Sequence, residues 1–302
     1  YYELSRLASL GLVTLTATGG GRAIAELRPI SPGFRLRELS PEPPAWRLSR
    51  FAFCRVEGER WVVESPRGHA VVGLLDPGAA AVVGALAQPL DSDALAAVAA
   101  VHLSGITRSE LRAFVALLEL AHAVTPVDAR GMTDETADPA LRMWSFHDLL
   151  FHARTRFGRH NGPSGATLRF AGGIPPPPFR PTRANADWIP LERPDIEALE
   201  RSDPPFTRVL ERRRSLRTYG ANPITRRQLG EFLYRSARVQ ERFEVKVAGG
   251  AHGPGESVEL SRRPSPSGGA IHELETYLAI HRCEGLEQGL YQYDPVEHRL
   301  AR

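Results

Sequence analysis

Two short stretches of this chain carry residue types that could bind a ligand. The first, at residues 213–217, is a run of arginines interrupted by one serine and one leucine. Guanidinium groups are permanently charged planar forks that match phosphate oxygens, and a hydroxyl adds one more donor. The stretch therefore predicts a phosphate site made by Arg213, Arg214, Ser215 and Arg217.

The same arginines also have a purely structural explanation. They follow an apolar-periodic segment that predicts a helix near residues 209–214. Cations at the carboxyl end of a helix offset the negative end of its dipole and need no ligand. The arginines alone leave both explanations open.

The second stretch shifts the balance toward a ligand. Pro266 and Ser267 are followed by Gly268 and Gly269, and apolar residues of a predicted strand come soon afterwards. Glycine adopts positive φ readily and lets a backbone approach a ligand closely. Together the two stretches predict a bound phosphate and a flat ring.

These motifs, with three others, resemble the nitroreductase-type flavoproteins, and more narrowly the SagB-type dehydrogenases. The resemblance covers most of the chain and is carried by five stretches: WSFHDLLFHARTR at 144–156, RRSLR at 213–217, TRRQLGEFLYR at 225–235, RPSPSGGA at 263–270 and GLYQYDP at 289–295. The resemblance implies an α+β fold with FMN as the cofactor. It also implies oxidation of thiazolines or oxazolines in ribosomally made peptides to thiazoles or oxazoles.

In that resemblance, Arg213, Arg214, Ser215 and Arg217 would hold phosphate and ribityl oxygens, and residues 266–269 would lie against the isoalloxazine. None of them would be the catalyst, and the sequence assigns no catalytic residue. Two features depart from the family. Glu273 stands where relatives usually have proline, and the only lysine, Lys246, lies outside the Lys-Tyr pair that relatives use.

The flavin domain of the family needs roughly 200 residues, and residues 195–302 supply about half of that. We therefore expect only the first half of a nitroreductase-type FMN domain in this chain. A second copy or a companion chain would then complete the flavin site.

The composition and residue spacing exclude several kinds of partner and binding site. The net charge is only +3, and the 38 lysines and arginines are spread along the chain. This distribution argues against nucleic acid or a membrane surface as a partner. Two distant cysteines support neither a disulfide framework nor a zinc site, and they fit a reducing cytoplasm. His147 and His152 are five residues apart, so we predict packed histidines and no metal site.

The region before the flavin domain divides into three predicted parts. Residues 1–39 read as a winged-helix-like helix plus β-hairpin, and residues 47–127 as a second winged-helix-like module that resembles leader-peptide-recognition domains. That module could bind a precursor peptide by strand addition, or it could be structural only. Residues 128–194 read as a linker with a mobile polar run near 125–140 and a polyproline strap at 175–178.

Two functions from different classes remain. The first is an FMN-dependent azoline dehydrogenase whose partners are the precursor peptide and the cyclodehydratase of its pathway. The second is a flavin-free scaffold that docks the same two partners. A general nitro- or quinone-reductase is disfavoured, because such an enzyme does not need the large N-terminal part.

Overall fold

The computed structural model describes residues 2–37, 42–160, 162, 170, 173–175, 179–180, 186–246 and 257–302. The chain separates into two compact units, Tyr1–Ser164 and Gly165–Arg302. Of the predicted polyproline strap, Pro175 is described, whereas Pro176, Pro177 and Pro178 lie outside the described residues.

The first unit mixes strands and helices in the order α1, β1 to β6, α2 to α4, β7 and α5 to α7. Its strands are β1 Leu15–Gly19, β2 Arg22–Pro29, β3 Ala45–Leu48, β4 Phe53–Glu57, β5 Arg60–Glu64, β6 Ala70–Leu74 and β7 Val124–Val127. Its helices are α1 Tyr2–Ser9, α2 Pro77–Ala85, α3 Ser92–His102, α4 Arg108–Leu120, α5 Asp134–Ala137, α6 Pro139–Met143 and α7 Phe146–Arg154.

Five strands of this unit form one antiparallel sheet in the order β1-β2-β6-β5-β4. The β1–β2 hairpin joins the rest through β2 and β6, where Leu27 lies opposite Val72. The hairpin predicted within residues 1–39 therefore shares a sheet with the strands predicted within residues 47–127. The winged-helix interpretation and the division into separate modules remain predictions.

The helices of the first unit begin where the sequence places capping residues. Asp76 lies directly before Pro77 and caps α2, because its side chain accepts a hydrogen bond from the Gly78 amide. Thr107 forms the predicted capping box of α4 with Glu110. The apolar stripe of α4 is buried against the sheet, with Phe114 and Leu118 fully inaccessible to solvent. The core of this unit thus lies between α4 and the sheet.

The polar run near residues 125–140 is not the mobile connection that the sequence suggested. It contains β7, which pairs with β3, and the short helices α5 and α6. Its polar residues are caps and anchors: Asp138 caps α6, and the buried carboxylate of Glu135 accepts from the Arg50 amide at 3.0 Å. The polar side chains that are typical of loops here hold the segment in place through hydrogen bonds to the backbone.

The second unit contains β8 to β15 and α8 to α10. Its strands are β8 Trp188–Pro190, β9 Ile224–Thr225, β10 Glu241–Lys246, β11 Ser257–Arg262, β12 Tyr277–Ile280, β13 Cys283–Glu284, β14 Gly289–Asp294 and β15 Arg299–Ala301. Its helices are α8 Ile196–Ser202, α9 Phe206–Arg212 and α10 Arg226–Ala237, with one 3-10 turn at Gly268–Ala270.

A four-stranded sheet in the order β12-β14-β15-β8 is the centre of the second unit. Thr225 and Gln228 form the predicted capping box of α10, whose Leu229 and Leu233 are buried in one cluster with Tyr291 and Leu300. Tyr293 donates its hydroxyl hydrogen to Nδ1 of the buried His298, and His298 Nε2 donates to the Glu192 carbonyl at 3.2 Å. This chain of bonds fixes the edge of the sheet.

Much of the apolar surface of the second unit faces solvent. Tyr219 is 96% exposed and Leu274 is 81% exposed, and others share this exposure: Phe206, Leu210, Leu216, Phe232, Ile271 and Leu290. Apolar residues that form a contiguous exposed patch are typical of an interaction face. Among the helices in the described part of the chain, none has the length and apolar character needed to cross a membrane.

Candidate functional site

The predicted phosphate residues lie in an irregular segment that follows α9. The helix ends at Arg212, two residues earlier than the sequence suggested, and Arg213 already has extended backbone angles of φ −61° and ψ 122°. The four predicted residues of this segment are exposed: Arg213, Arg214, Ser215 and Arg217. Arg213 is the C-cap of α9, where the helix dipole still acts, whereas Arg214 and Arg217 lie beyond the last turn, so the dipole explanation is weakened for those two only.

The arginines of this segment have no carboxylate partner among the residues that the structure describes. Arg235 on α10 shows the contrast, because Asp203 and Glu231 hold its guanidinium at 2.6 and 2.8 Å. Guanidinium donors that the chain itself leaves unused remain available to an anion. By its chemistry the segment fits a phosphate.

The far end of the arginine segment is anchored to the second unit. Arg282 donates from Nη2 to the Ala221 carbonyl at 2.6 Å, and β9 pairs in parallel with β13 directly afterwards. The segment between α9 and Ala221 is therefore held at both ends. Because it has fewer conformations available, it loses less conformational entropy when it binds a ligand.

The glycine turn is present and has the predicted positive φ at one of its two glycines. Gly269 has φ 64°, inside the 3-10 turn, whereas Gly268 is not in the positive-φ region. Ser267 Oγ accepts from the His272 amide at 2.9 Å and so closes the loop. Pro266 and both glycines are exposed, and Ser267 is half-buried.

Two non-glycine residues of the same turn are also in the left-handed region. Ala270 has φ 58° and His272 has φ 48°. Each such residue costs on the order of 1–3 kcal/mol, and outliers of this kind concentrate at ligand sites. Apart from its two chain neighbours, no atom of the described residues would lie within 4 Å of a Cβ on Gly268. Packing within the chain therefore does not require glycine there, whereas close approach of a ligand would.

Beside the turn lies a small cavity of about 50 Å³, lined in part by Arg263, His272, Leu274 and Trp188. Burial lowers the pKa of Arg263, whose Nε donates to Ser261 Oγ at 3.1 Å. Pockets for drug-sized ligands and cofactors measure roughly 300–1,000 Å³. The cavity cannot enclose a flavin ring, so a flavin would have to lie over the exposed outer side of the turn.

The structure does not join the two predicted stretches directly. Within the described ranges, no hydrogen bond or ion pair connects the arginine segment with residues 266–269. The eight residues therefore remain a predicted site whose parts lie in the same unit.

A serine–histidine pair that the sequence did not reveal lies in the first unit. Buried Ser31 shares a short hydrogen bond with Nδ1 of His69, and Arg159 Nη1 donates to Nε2 of the same ring at 2.8 Å. Because the arginine occupies the Nε2 lone pair, neutral His69 carries its hydrogen on Nδ1 and donates it to Ser31. Such a histidine cannot take a proton from the serine, so the pair is structural.

Sequence reasoning also missed the largest cavity described in the first unit. It measures about 500 Å³ and lies between β7, the carboxyl end of α4 and the segment before α5. Arg37, Arg67, His122 and Asp134 are among its charged or titratable lining residues. One local feature of the sequence marks this region: His122 stands after α4 at a position where glycine is usual. The backbone of His122 is left-handed there, with φ 55°.

Comparison with known proteins gives two similarities. A sequence model of the family described as "Cyanobactin oxidase ThcOx" matches residues 46–161, which lie within the first unit. A protein of Methanocaldococcus jannaschii, named provisionally as a nitroreductase, is 30% identical over 116 residues, which are 38% of this chain and 48% of that protein. The chain thus spans about half the length of this curated relative. Both similarities support a relationship with the nitroreductase family, and neither distinguishes the SagB type within it.

Proposed function

We propose that this chain is part of an FMN-dependent oxidoreductase that converts thiazoline or oxazoline rings of a ribosomally made peptide into thiazole or oxazole. The observation that carries the proposal is the presence, in one unit, of exposed guanidinium groups that have no carboxylate partner among the described residues and of a glycine turn that is open on its outer side. The similarity of residues 46–161 to an oxidase family supports oxidation chemistry.

Each part of the site would have a separate task. Arg213, Arg214 and Arg217 would bind phosphate by charge-assisted hydrogen bonds, with Ser215 as a further donor. Residues 266–269 would support the ring, with backbone close enough for contact because the glycines carry no Cβ. The bound flavin supplies a two-electron acceptor for the removal of two hydrogens from the azoline.

The exposed apolar surface of the second unit supports a second chain as a partner. A flavin on the outer side of the glycine turn would remain open to water unless another surface covered it. A second copy or a companion chain that buries residues such as Leu274 and Phe232 would provide that cover. The precursor peptide and the cyclodehydratase would then be the partners of the assembled enzyme.

A flavin-free scaffold is the competing function, and two observations favour it. The cavity beside the turn is far smaller than a flavin, and the two predicted stretches are not bonded to each other among the described residues. A scaffold of this kind would still dock the precursor peptide and the cyclodehydratase.

Absorbance of the purified protein separates these two functions. The enzyme should bind added FMN saturably, with a visible spectrum that shifts from that of free flavin, and it should oxidise an azoline peptide when its partner chain is present. If the protein is colourless after excess FMN has been added and the unbound FMN removed, but still retains the peptide on a column, the scaffold is supported and the enzyme is overturned.

A further inference from the structure

The cavity of about 500 Å³ in the first unit is assigned no ligand by the flavin site. Its volume falls in the range of pockets that hold small ligands. Three acidic residues contribute to its lining, and the chain already engages each of them. Asp134 pairs with Arg67, and Glu119 pairs with Arg112 at 3.2 Å. Asp128 accepts from two backbone amides of its own turn.

Two donors in the same lining are not used by the chain. Arg37 gives one guanidinium nitrogen to the Glu119 carbonyl at 3.2 Å, is exposed, and has no carboxylate partner among the described residues. The imidazole of half-buried His122 makes no hydrogen bond within the described ranges. Burial, followed by the charges of Arg37 and Arg67, lowers the pKa of His122 to about 4. The ring is therefore neutral at pH 7 and has one N–H to donate.

These two donors together fit one carboxylate. A carboxylate is the geometric match of a guanidinium fork, and it has further lone pairs for an imidazole N–H. A di- or triphosphate would bring more negative charge than Arg37 balances, and it would lie near the three acidic residues of the same lining. The lining therefore selects a single negative charge.

His122 stands at a position where folding favours glycine. Helix α4 ends in a Schellman motif, in which the Ala123 amide donates to the Leu118 carbonyl at 2.8 Å and the His122 amide to the Glu119 carbonyl at 3.0 Å. This motif needs a left-handed residue at position 122, and His122 has φ 55°. A histidine there opposes folding, and residues strained in this way concentrate at ligand sites.

The uncharged part of the lining indicates what the carboxylate is attached to. Apolar side chains stand beside the charged ones: Pro43, Pro44, Val124, Pro126, Val127 and Met132. Pro126 of β7 has no N–H, so this wall offers side-chain contact and not the main-chain donors that a further strand would need. An apolar ligand body gains free energy by burial against such a wall, whereas an inorganic anion gains none.

We propose that this cavity binds a small molecule in which one carboxylate is attached to an apolar body, with Arg37 and His122 holding the carboxylate. The cavity belongs to the first unit, whereas the predicted flavin residues belong to the second. The inference thus goes beyond the proposed function. Binding is measured without flavin, so this inference and the proposed flavin chemistry can fail separately.

Isothermal titration of the full chain, free of flavin, tests the proposal with four probes. These are hydrocinnamate, its amide, acetate and acetyl-Val-Glu-Val-amide. Hydrocinnamate should bind saturably, and at least roughly tenfold more tightly than each of the other probes.

Each contrary result overturns a stated part of the proposal. No saturable binding of hydrocinnamate up to about 10 mM would overturn the site. Equal affinity for the amide would overturn the carboxylate contact, and equal affinity for acetate would overturn the apolar body. Equal or tighter binding of the peptide would assign the cavity to a peptide side chain and overturn the small molecule.

Two variants locate the bound carboxylate. Arg37→Gln should weaken hydrocinnamate binding by roughly tenfold or more and remove the preference for the acid over its amide. Arg60→Gln is the matched control and should keep full affinity, because Arg60 is exposed, lies outside the cavity lining and pairs with Glu26 at 3.6 Å. The assignment would be overturned if Arg37→Gln kept its preference for the acid, or if both variants lost affinity alike.

His122→Gly separates a ligand-binding role from a structural one. Glycine suits the left-handed position, so the melting temperature should be equal to that of the wild type or higher, while hydrocinnamate affinity falls by roughly two- to tenfold. A lower melting temperature with unchanged affinity would show that His122 serves packing and would remove it from the site.

Discussion

Arg282 Nη2 lies 2.6 Å from the carbonyl oxygen of Ala221, so the turn before β13 is bonded to the end of the arginine segment. We expect Arg282→Ala to weaken FMN binding by roughly three- to tenfold, because the segment loses its anchor but keeps its phosphate donors. Fluorescence quenching of FMN measures this change. Arg262→Ala, which removes an exposed arginine paired with Glu241, should have no effect. Equal losses in both variants would show a general charge effect.

The phosphate contact itself is tested by Arg217→Ala. A charge-assisted hydrogen bond is worth roughly 1.5–3 kcal/mol, so FMN affinity should fall by about one to two orders of magnitude. Arg201→Ala is the matched control, since it removes an exposed arginine from α8 that pairs only weakly with Glu197. Unchanged affinity in Arg217→Ala would remove this residue from the site.

Gly268→Val separates ligand contact from folding. Among the residues that the structure describes, none beyond the two chain neighbours has an atom within 4 Å of the new Cβ, so we expect a change in unfolding free energy of at most about 0.5 kcal/mol. The branched side chain would nevertheless stand between the turn and a flavin ring, and FMN binding should be lost. Gly84→Val, at another open glycine on α2, should keep full FMN affinity. If Gly268→Val binds FMN normally, the ring does not lie on this turn.

The elements that could be predicted from sequence are those that local chemistry decides. Thr107 and Thr225 each form the expected capping box, and the turn at Gly269 has the expected positive φ. The pairing of Leu27 with Val72 could not be predicted, because the partner of a strand is set by burial over a long sequence separation. The polar run near residues 125–140 was misread for a related reason, since Glu135 becomes an anchor only when Arg50 lies beside it.

The site shows the same limit. The residue types of the arginine segment and the glycine turn indicated ligand chemistry, but their exposure and their separate anchoring depend on the tertiary structure. The cavity at His122 gave no motif, since its residues come from four separate parts of the first unit. A histidine directly after a helix is ordinary in sequence, and only its left-handed backbone makes it informative.

The pH dependence of stability should reflect His122. Burial, followed by the charges of Arg37 and Arg67, lowers its pKa from 6.5 to about 4. The unfolded chain takes up a proton near pH 6.5 and the folded chain does not until about pH 4, so this contribution is present above pH 6.5 and is lost as the pH falls toward 4. The loss should be at most on the order of 3 kcal/mol.

Urea unfolding of the first unit between pH 7 and pH 4 measures this loss. The pKa values of His69 and His298 are also lowered, chiefly by burial, so the wild-type slope contains more than one group. The slope should be smaller in His122→Gly by the share of that residue. Identical slopes in the two proteins would contradict a neutral, half-buried imidazole at position 122.

The exposed apolar surface of the second unit should hold another chain. Phe232→Asp with Leu274→Asp places two charges on that surface, and we expect the dissociation constant of the assembly to rise at least roughly tenfold. Phe157→Asp, at a more exposed phenylalanine in the first unit, is the control and should leave association unchanged. Analytical ultracentrifugation measures both, and wild-type protein that sediments as a monomer at all concentrations would refute the interface.

The central claim is that the arginine segment and the glycine turn of the second unit hold FMN in an assembly of more than one chain. Native mass spectrometry after incubation with excess FMN tests it most directly. We expect an assembly of two or more chains that carries FMN, and loss of the flavin in both Arg217→Ala and Gly268→Val. Monomeric, flavin-free protein under the same conditions, or flavin retained by both variants, would contradict the claim.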